Sequence, residues 1–501
     1  MPDSQAAHRL HWPGFTARSW PIALAVMALA VYAAFLWPRA AVAPGGADSS
    51  GYFNMAKLIL QGKVHDTPRI IEGLPMREMP SFAYAPLGFV PDPNAAHITP
   101  TYPIGLPLLF GASSLIAGWR LGPAWVILLH SLATIVLAYL LARQCGARRE
   151  IAWLAAAALA LSPLHLMFSL QAMSDMPAAT WCAAALWFAR QDSRRAALAC
   201  GAAFGMAVLI RPTNVLLALP LAIGLGKPGA RWAWGIAGGL PFAIGLALFN
   251  LSAYGNALLT GYGSVVEFFA LHWIPTTAWH YLRWLPVTLS PLVLLAVLLP
   301  WFRNRPDRTL WMHASWVIAL AALYSAYAFT HRDWWYLRFI LPVFPSLLAI
   351  GAAAGEKLAH LIDRSMPRWC AGAAAAAIIA ANGYASWHNL HLKNTGPSVR
   401  TFAAMETLVR AHVPPSGVVL AMEASGALYF STQYTLVRWD SIDDAWPRAV
   451  AACRQAGRPV YAALFDFEDR KKFDSRTPGA WEAIAVDGNA TLWRLDSHPA
   501  P

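Results

Sequence analysis

Long apolar runs recur along most of this chain, and they limit what it can fold into. Each run is about the length that an α-helix needs to cross the hydrocarbon core of a bilayer, roughly 20 residues. Of the 501 residues, 57% are hydrophobic and 13% are charged, a composition that no single soluble core could bury. The pattern predicts an all-α polytopic membrane protein with about 11 transmembrane helices. The predicted spans lie near residues 20–37, 122–142, 152–168, 177–190, 196–211, 213–226, 232–252, 284–301, 310–329, 338–354 and 370–387.

The net charge of +12 follows the predicted topology. Basic residues collect in short connectors that fall on one side if the spans alternate: Arg143, Arg148, Arg149, Arg190, Arg194, Arg195, Lys227, Arg231, Arg303, Arg305, Arg308, Lys357, Arg364 and Arg368. Such connectors are typically cytoplasmic. Arg9 and Arg18 place the N-terminus on the same side, and the C-terminus then lies outside. This distribution argues against a nucleic-acid partner, which would favour one continuous basic surface.

The segment between the first two spans, residues 38–121, is unusually long for a connection and is therefore a candidate for function. Residues 52–60 can form an amphipathic helix on the surface. Residues 104–118 are apolar but short and interrupted by proline, which predicts a helix at or in the outer membrane surface rather than a span. Ala41-Val42-Ala43 resembles a signal-peptidase site, but Pro44 directly after it argues against cleavage.

The pattern changes near residue 390 from membrane spans to the alternation of a soluble domain. We expect a helix around Phe402–Val409, a strand at Val418–Met422, a helix near 442–456 and a strand at Val460–Phe467. Two last strands flank Asp487-Gly488-Asn489, a hairpin signal. These features predict a small α/β domain outside the membrane. Of the five cysteines only Cys453 lies on that side, so no disulfide within the outer regions is expected, and no residues have metal-ligand spacing.

A few charged side chains stand where the outer ends of spans are predicted. Asp48 follows the first span, and Asp175 is the ionisable group between two later spans. Boundary acids are costly and usually face a polar cavity, although Asp175 can equally cap the helix that begins near Pro177. Three arginines, Arg211, Arg332 and Arg338, are predicted on the outer side, whereas most basic residues are predicted on the cytoplasmic side. Anchoring to lipid phosphates and binding of one specific phosphate are both open explanations.

Five short motifs in order resemble bacterial GT-C-fold glycosyltransferases that use lipid-carrier sugars, a group that includes the protein O-mannosyltransferases and the aminoarabinose transferases of lipid A (glycosyltransferase family 39-like). The motifs are Asp-x-x-x-Tyr from Asp48, Tyr-Pro-x-Gly-x-Pro-Leu-Leu from Tyr102, Ser-Asp-Met-Pro from Ser174, Arg-Pro-Thr from Arg211, and Tyr-Leu-Arg-Phe-Ile-Leu-Pro from Tyr336. The resemblance covers residues 20–390. It divides the chain into a cytoplasmic N-terminus (1–19), a GT-C-like domain (20–390) with its outer loop 38–121, and a periplasmic α/β domain (391–501).

The resemblance implies roles for individual residues. Asp48 matches the first-loop acid at the reaction centre of such enzymes, and Asp175 matches their second acid. Relatives often have another acid next to the first, where this chain has Ser49 and Ser50. The basic residue that some relatives place before the proline-rich turn is Thr101 or Tyr102 here. No cofactor is indicated; a divalent metal stays possible but has no support in the sequence.

The chemistry of a polyprenyl-phosphate sugar fits the same residues. The phosphate leaves as a stabilised anion, so the protein must supply cationic donors and a carboxylate that takes a proton from the acceptor hydroxyl. Asp48 is the candidate base, and Asp175 orients the acceptor or shares that role. Arg211 and Arg338 are candidate phosphate ligands. Further substrate-binding candidates are Arg332, Tyr52 and Tyr102.

The resemblance and this chemistry together imply an inverting glycosyltransferase that moves a hexosyl or pentosyl group from a lipid carrier to a lipid, glycan or protein acceptor at the outer face. The resemblance implies the bacterial inner membrane, with membrane lipids as the surroundings. The alternative is a flippase or exporter of lipid-linked sugars. Such transporters commonly show internal repeats, and no convincing repeat is present in this chain.

Overall fold

A computed structural model describes residues 20–40, 44–92, 94–302, 307–362 and 368–496. The predicted cytoplasmic N-terminus with Arg9 and Arg18, the Ala41-Val42-Ala43 site, and the connector residues Arg303, Arg305 and Arg364 lie outside the described residues. The chain divides into two units, residues 1–39 and 40–501. In the first unit, helix α1 (Trp20–Leu36) ends in a 3-10 turn, Trp37–Arg39. The apolar side chains of Ile22, Val26 and Val31 are exposed along α1, as expected of a helix that faces lipid.

The second unit begins with a short helix and a hairpin and continues as a helical bundle. Its first elements are α2 (Gly46–Leu60), β1 (Phe89–Asp92) and β2 (His97–Pro100). The bundle helices are α3 (Gly105–Gln144), α4 (Arg149–Ala160), α5 (Pro163–Ser169), α6 (Asp175–Ala189), α7 (Arg194–Ile210), α8 (Ala218–Leu225), α9 (Ala230–Tyr254), α10 (Ile274–Leu289), α11 (Leu295–Phe302), α12 (Arg308–Ser325), α13 (Phe344–Ile362) and α14 (Arg368–Asn389). A long 3-10 segment, Trp334–Val343, leads into α13.

The prediction of about 11 spans is only partly supported, because some predicted spans are broken and others, such as α6 and α7, form helices of only 15 and 17 residues. By length and composition four helices in the described parts of the chain can cross a membrane, or five if the bent pair α4 and α5 forms one span. That pair bends by 59° at Ser162, which caps α5 ahead of Pro163. The predicted span 284–301 breaks at Ser290, whose φ of 83° precedes Pro291. Proline cannot continue the hydrogen-bond ladder of a helix, which explains both breaks.

One prediction for the outer segment is confirmed and one is wrong in detail. The helix predicted at 104–118 is the first part of α3, which kinks at the non-helical residue Gly118 (φ 71°, ψ 169°), so that two helices meet there. The surface helix predicted at 52–60 is α2, which begins six residues earlier and is buried along most of its length. The amphipathic pattern failed there because Tyr52, Phe53 and Asn54 are all buried. As a result Asp48 lies in the first turn of a helix and not in a loop.

The C-terminal α/β prediction is confirmed by a five-stranded sheet. It is formed by β3 (Val418–Leu420), β4 (Thr435–Val437), β5 (Val460–Phe465), β6 (Trp481–Asp487) and β7 (Ala490–Leu495), with α15 (Thr395–His412), α16 (Ser425–Ser431), α17 (Trp446–Gln455) and α18 (Arg470–Arg476). The strand order is β4-β3-β5-β7-β6. The predicted hairpin pairs Asp487 with Ala490. Strand β4 and helices α16 and α18 are too short to give a periodic signal in the sequence.

The outer segment and the C-terminal sheet share one hydrophobic core. Leu58, Ile71 and Tyr84 from the outer segment belong to the same buried cluster as Met405 and Val419. The side chain of Asn54 on α2 donates to the carbonyl of Gly426 on α16 at 2.9 Å. At Gly426 a Cβ atom would overlap with Ser50 Oγ on α2, so the two helices pack backbone against side chain. The predicted boundary at residue 390 therefore does not separate two cores.

Candidate active site

Asp48, at the start of α2, accepts two hydrogen bonds, one from an arginine and one from a tyrosine. Its Oδ2 accepts from Arg338 Nη2 at 2.6 Å, and its Oδ1 accepts from the hydroxyl of Tyr102 at 2.7 Å. An aspartate in the first turn is also stabilised by the partial positive charge of the helix N-terminus. Arg338 lies 290 residues further along the chain, in the 3-10 segment before α13. The structure thus joins three of the residues that the motifs singled out, Asp48, Tyr102 and Arg338.

A second ion pair joins Asp175 and Arg211. Arg211 Nη2 donates to Asp175 Oδ1 at 2.6 Å, and the Asp175 side chain is fully buried. Arg211 follows α7 in an extended conformation (φ −143°, ψ 110°), as expected for a residue before proline. Asp175 begins α6, and no side chain caps the first turn of that helix within the described residues. Pairing with Arg211, and not helix capping, is the interaction its carboxylate makes.

The two ion pairs are connected to each other. Arg211 Nη1 donates to the backbone carbonyl of Arg338 at 3.2 Å, and Arg211 Nε donates to Ser174 Oγ at 3.1 Å. The hydroxyl of Tyr52 also donates to Ser174 Oγ, at 3.0 Å. Every nitrogen of the Arg211 guanidinium therefore has a partner, which fixes the plane of the group.

Two polar atoms of this cluster are buried without a hydrogen-bond partner among the described residues: Arg338 Nε and Asp175 Oδ2. Leaving such groups unpaired costs free energy, so buried atoms of this kind commonly mark a place where a ligand or water binds. One atom is a cationic donor and the other an anionic acceptor. The cluster can therefore receive an anion at Arg338 and a hydroxyl at Asp175.

Three tyrosines form one side of the cluster. The ring centroids of Tyr52 and Tyr102 lie 4.9 Å apart, and those of Tyr102 and Tyr262 lie 5.8 Å apart. Burial and the neighbouring Asp48 carboxylate raise the pKa of Tyr102 well above its ordinary value of 10.0, so its hydroxyl keeps the proton that it donates. Tyr262 was not predicted, because the 253–283 connection carries no motif around it. Ser174 lies inside a quoted motif but had no assigned role.

Arg332 is the predicted binding residue that the structure does not bring to this cluster. Its side chain is exposed, and its guanidinium lies 4.1 Å from the centroid of the Phe329 ring. No group of three His, Cys, Asp or Glu side chains that could hold a metal ion occurs within the described ranges.

The ion pair with Arg338 should hold Asp48 ionised over the whole neutral range. Burial alone would raise the pKa of Asp48, but the charge and hydrogen bond of Arg338 and the hydrogen bond of Tyr102 outweigh it, and the pKa falls below the ordinary 3.8. The stabilisation from this pair is then complete above about pH 5 and is lost as the pH falls through the folded-state pKa. We expect the difference in melting temperature between wild type and Asp48→Asn to be constant from pH 5 to 8 and to shrink below about pH 4. A difference that changes between pH 6 and 8 would contradict this assignment.

Gly51 leaves the room that Tyr102 needs beside Asp48. A Cβ atom at Gly51 would overlap with the Tyr102 ring and lie 3.1 Å from the Cα of Gly88. Gly51→Ala should therefore cost about 1–3 kcal/mol in the free energy of unfolding by overpacking and should lower activity by displacing Tyr102. Gly245→Ala is the control, since it lies in helix α9 with open space around the added atom. Thermal unfolding measures the stability of the two variants, and a transfer assay measures their activity. Equal stability and activity of Gly51→Ala and Gly245→Ala would refute the packing argument.

Comparison with known proteins supports the fold. Residues 103–250, which contain Asp175 and Arg211, match the family model of the dolichyl-phosphate-mannose-protein mannosyltransferases. The structure resembles that of ArnT from Cupriavidus metallidurans bound to undecaprenyl phosphate, with a TM-score of 0.60, 12% identity, and coverage of 96% of this chain and 99% of that one. A search of curated protein sequences finds no significant match.

Two further solved structures share the fold. The Archaeoglobus fulgidus oligosaccharyltransferase has a TM-score of 0.59 at 13% identity and covers 92% of this chain, which spans 71% of the archaeal protein. The mycobacterial arabinofuranosyltransferase AftD has a TM-score of 0.56 at 15% identity and covers 97% of this chain, which spans 40% of AftD. The resemblance carried by the five motifs is thereby confirmed: this chain has the fold of the GT-C glycosyltransferases that use polyprenyl-phosphate-linked sugars.

Proposed function

We propose that the chain is an integral-membrane glycosyltransferase that moves a sugar from a polyprenyl-phosphate carrier to an acceptor hydroxyl at the outer face of a bacterial inner membrane. The observation that carries the proposal is the linked pair of ion pairs, Asp48–Arg338 and Asp175–Arg211, together with Arg338 Nε, which is buried and has no hydrogen-bond partner among the residues that the structure describes. A site that transfers a phosphate-linked sugar needs cationic donors beside a carboxylate, and this cluster supplies both.

In this proposal the donor phosphate binds Arg338 through Nε and competes with Asp48 for that guanidinium. Arg211 adds one further N–H group from each of its two terminal nitrogens, since each of these nitrogens has two N–H groups and uses one in the bonds to Arg338 and Asp175. Because the guanidinium plane of Arg211 is already fixed, less rotamer freedom is lost when the phosphate binds. The phosphate would therefore meet two oriented cations.

The transfer step follows from the same arrangement. The acceptor oxygen attacks the anomeric carbon as the bond from that carbon to the phosphate oxygen breaks. The proton of the acceptor hydroxyl passes to Asp48, and the polyprenyl phosphate leaves as an anion held by the arginines. A single displacement inverts the configuration at the anomeric carbon. Asp175 acts first as the counter-ion of Arg211, and its free Oδ2 is the atom that can accept a hydrogen bond from the acceptor.

The orientation in the membrane rests on the basic connectors. Their distribution supports a cytoplasmic N-terminus and an outward site and C-terminal sheet. The proposal specifies the substrates by class: the transferred group is a hexosyl or pentosyl group, and the acceptor is a lipid, a glycan or a protein. Support for the donor class comes from the family model and from the undecaprenyl phosphate bound by the Cupriavidus protein.

The test compares glycans and lipid-linked sugars in cells that carry wild type, a deletion, or Asp48→Asn. We expect the deletion and Asp48→Asn to lose the same modification while the sugar-charged carrier builds up on the outer side of the membrane. If the deletion instead strands the charged carrier on the cytoplasmic side and Asp48→Asn behaves as wild type, the protein is a flippase and the proposal fails.

A further inference from the structure

An apolar groove of about 360 Å³ lies between α4, α13 and α14, away from the Asp48 cluster. Its walls are built largely from small side chains, including Ala155, Ala158, Gly351, Gly355, Gly372 and Ala375. Small residues on neighbouring helices usually allow the helices to pack closely. Here they leave space instead, and an apolar chain is the natural occupant of an apolar space within a membrane.

The length of the groove matches one leaflet of a bilayer. Its α4 wall runs from Arg148 to Ala158, which at 1.5 Å per residue is about 15 Å. Its α13 wall, from Leu348 to Ala359, has about the same length. The hydrocarbon core of a bilayer is about 30 Å thick, so the groove can hold the acyl chain of a lipid from one leaflet.

One end of the groove is cationic. Arg148 is the charged side chain among the residues that line it, and its Nε is buried without a hydrogen-bond partner in the described parts of the chain. The nearest carboxylates are those of Glu150 and Glu356, at 3.8 and 4.0 Å from that atom, which is the outer limit of an ion pair. The neighbouring cations Arg149 and Lys357 are exposed and do not line the groove, so Arg148 is the cation that a headgroup in the groove would meet.

We propose that this groove binds an anionic phospholipid, with one acyl chain between α4, α13 and α14 and the phosphate at Arg148. Basic pockets between membrane helices recognise anionic headgroups in this way. The lipid carrier is a poorer candidate, because the lining residues include none of the Asp48 cluster and Arg148 belongs to the connectors predicted to face the cytoplasm. The site is independent of the proposed transfer reaction.

The test titrates delipidated full-length protein with phosphatidylglycerol or phosphatidylcholine of identical acyl chains and counts bound lipids by native mass spectrometry. We expect one saturable site that prefers phosphatidylglycerol. A cation near the membrane surface contributes about 1 kcal/mol to anionic lipid binding, so Arg148→Gln should reduce that preference about fivefold. Arg149→Gln removes an exposed neighbouring charge that does not line the groove and should have a smaller effect.

A second variant tests the acyl-chain site separately from the charge. A Cβ atom at Gly372 meets open space, so Gly372→Leu can fold and should fill the groove, which would abolish saturable binding of both lipids. Gly245→Leu places the same side chain on α9 outside the groove and should bind as wild type. The proposal is overturned if Gly372→Leu binds normally or if Arg149→Gln loses as much preference as Arg148→Gln.

Discussion

Replacing Asp48 with asparagine is expected to slow sugar transfer by about a thousandfold, since general-base catalysis typically contributes 10²–10⁴ in rate. The same change should strengthen binding of polyprenyl phosphate. Asp48 Oδ2 lies 2.6 Å from Arg338 Nη2, so the carboxylate competes with the donor phosphate for that guanidinium. A neutral amide of the same shape withdraws the competing charge while it leaves the helix intact.

A slower transfer rate combined with tighter donor binding distinguishes loss of the base from other effects of the substitution. A variant that merely misfolds would lose both, and a residue that only binds the donor would lose affinity. Asp92→Asn is the matched control, because Asp92 is an exposed aspartate in the same outer segment and should change neither quantity. Transfer by purified protein in lipid nanodiscs and equilibrium binding of polyprenyl phosphate are the two measurements. Wild-type transfer by Asp48→Asn would rule out the base.

Removing the carboxylate of Asp175 should have the largest effect on stability. Asp175 is fully buried and Arg211 is 13% exposed, so Asp175→Leu leaves a buried guanidinium without its counter-ion. Breaking a buried ion pair from one side typically costs about 3–5 kcal/mol. We expect a loss of that size in the free energy of unfolding, measured by denaturation in detergent.

The double variant Asp175→Leu with Arg211→Met separates the structural from the functional role of this pair. With both charges gone no uncompensated ion remains, and buried pairs replaced by apolar residues are often neutral in stability. The double variant should therefore regain most of the lost stability yet stay inactive, because Arg211 no longer binds the phosphate. Full stability of Asp175→Leu alone would show that the pair is not what holds Arg211.

The sequence singled out Asp48, Asp175, Arg211 and Arg338 one by one, but it did not predict how they pair. Pro212 forces Arg211 out of the helix, which local sequence can show. The partner of Asp48 could not be read in this way, since Arg338 is 290 residues away and only tertiary packing brings the two together. The role of Asp175 as a counter-ion also depends on that packing. The sequence placed Asp175 correctly at the start of a helix but could not distinguish a cap from an ion pair.

The limits of the fold prediction have a similar cause. Apolar runs located the helices, because burial and lipid exposure select the same residues. The breaks at Ser162 and Ser290 went unpredicted although a proline follows each serine, because the apolar residues on both sides extend to the length of a span. The close packing of Ser50 against Gly426 depends on the meeting of distant segments, so no local pattern indicates it.

Because α2 packs directly against α16, the C-terminal sheet cannot be exchanged independently of the outer segment. Asn54 on the helix of Asp48 bonds to Gly426, and Arg69 in the outer segment donates to the carbonyls of Tyr429 and Thr432. Removing the C-terminal sheet would expose the face of α2 that packs against it, and α2 is the helix that carries Asp48. Substitutions on the two contacting surfaces should therefore arise together among descendants of this protein. A chimaera should fold only if residues 44–92 and 395–496 come from the same parent.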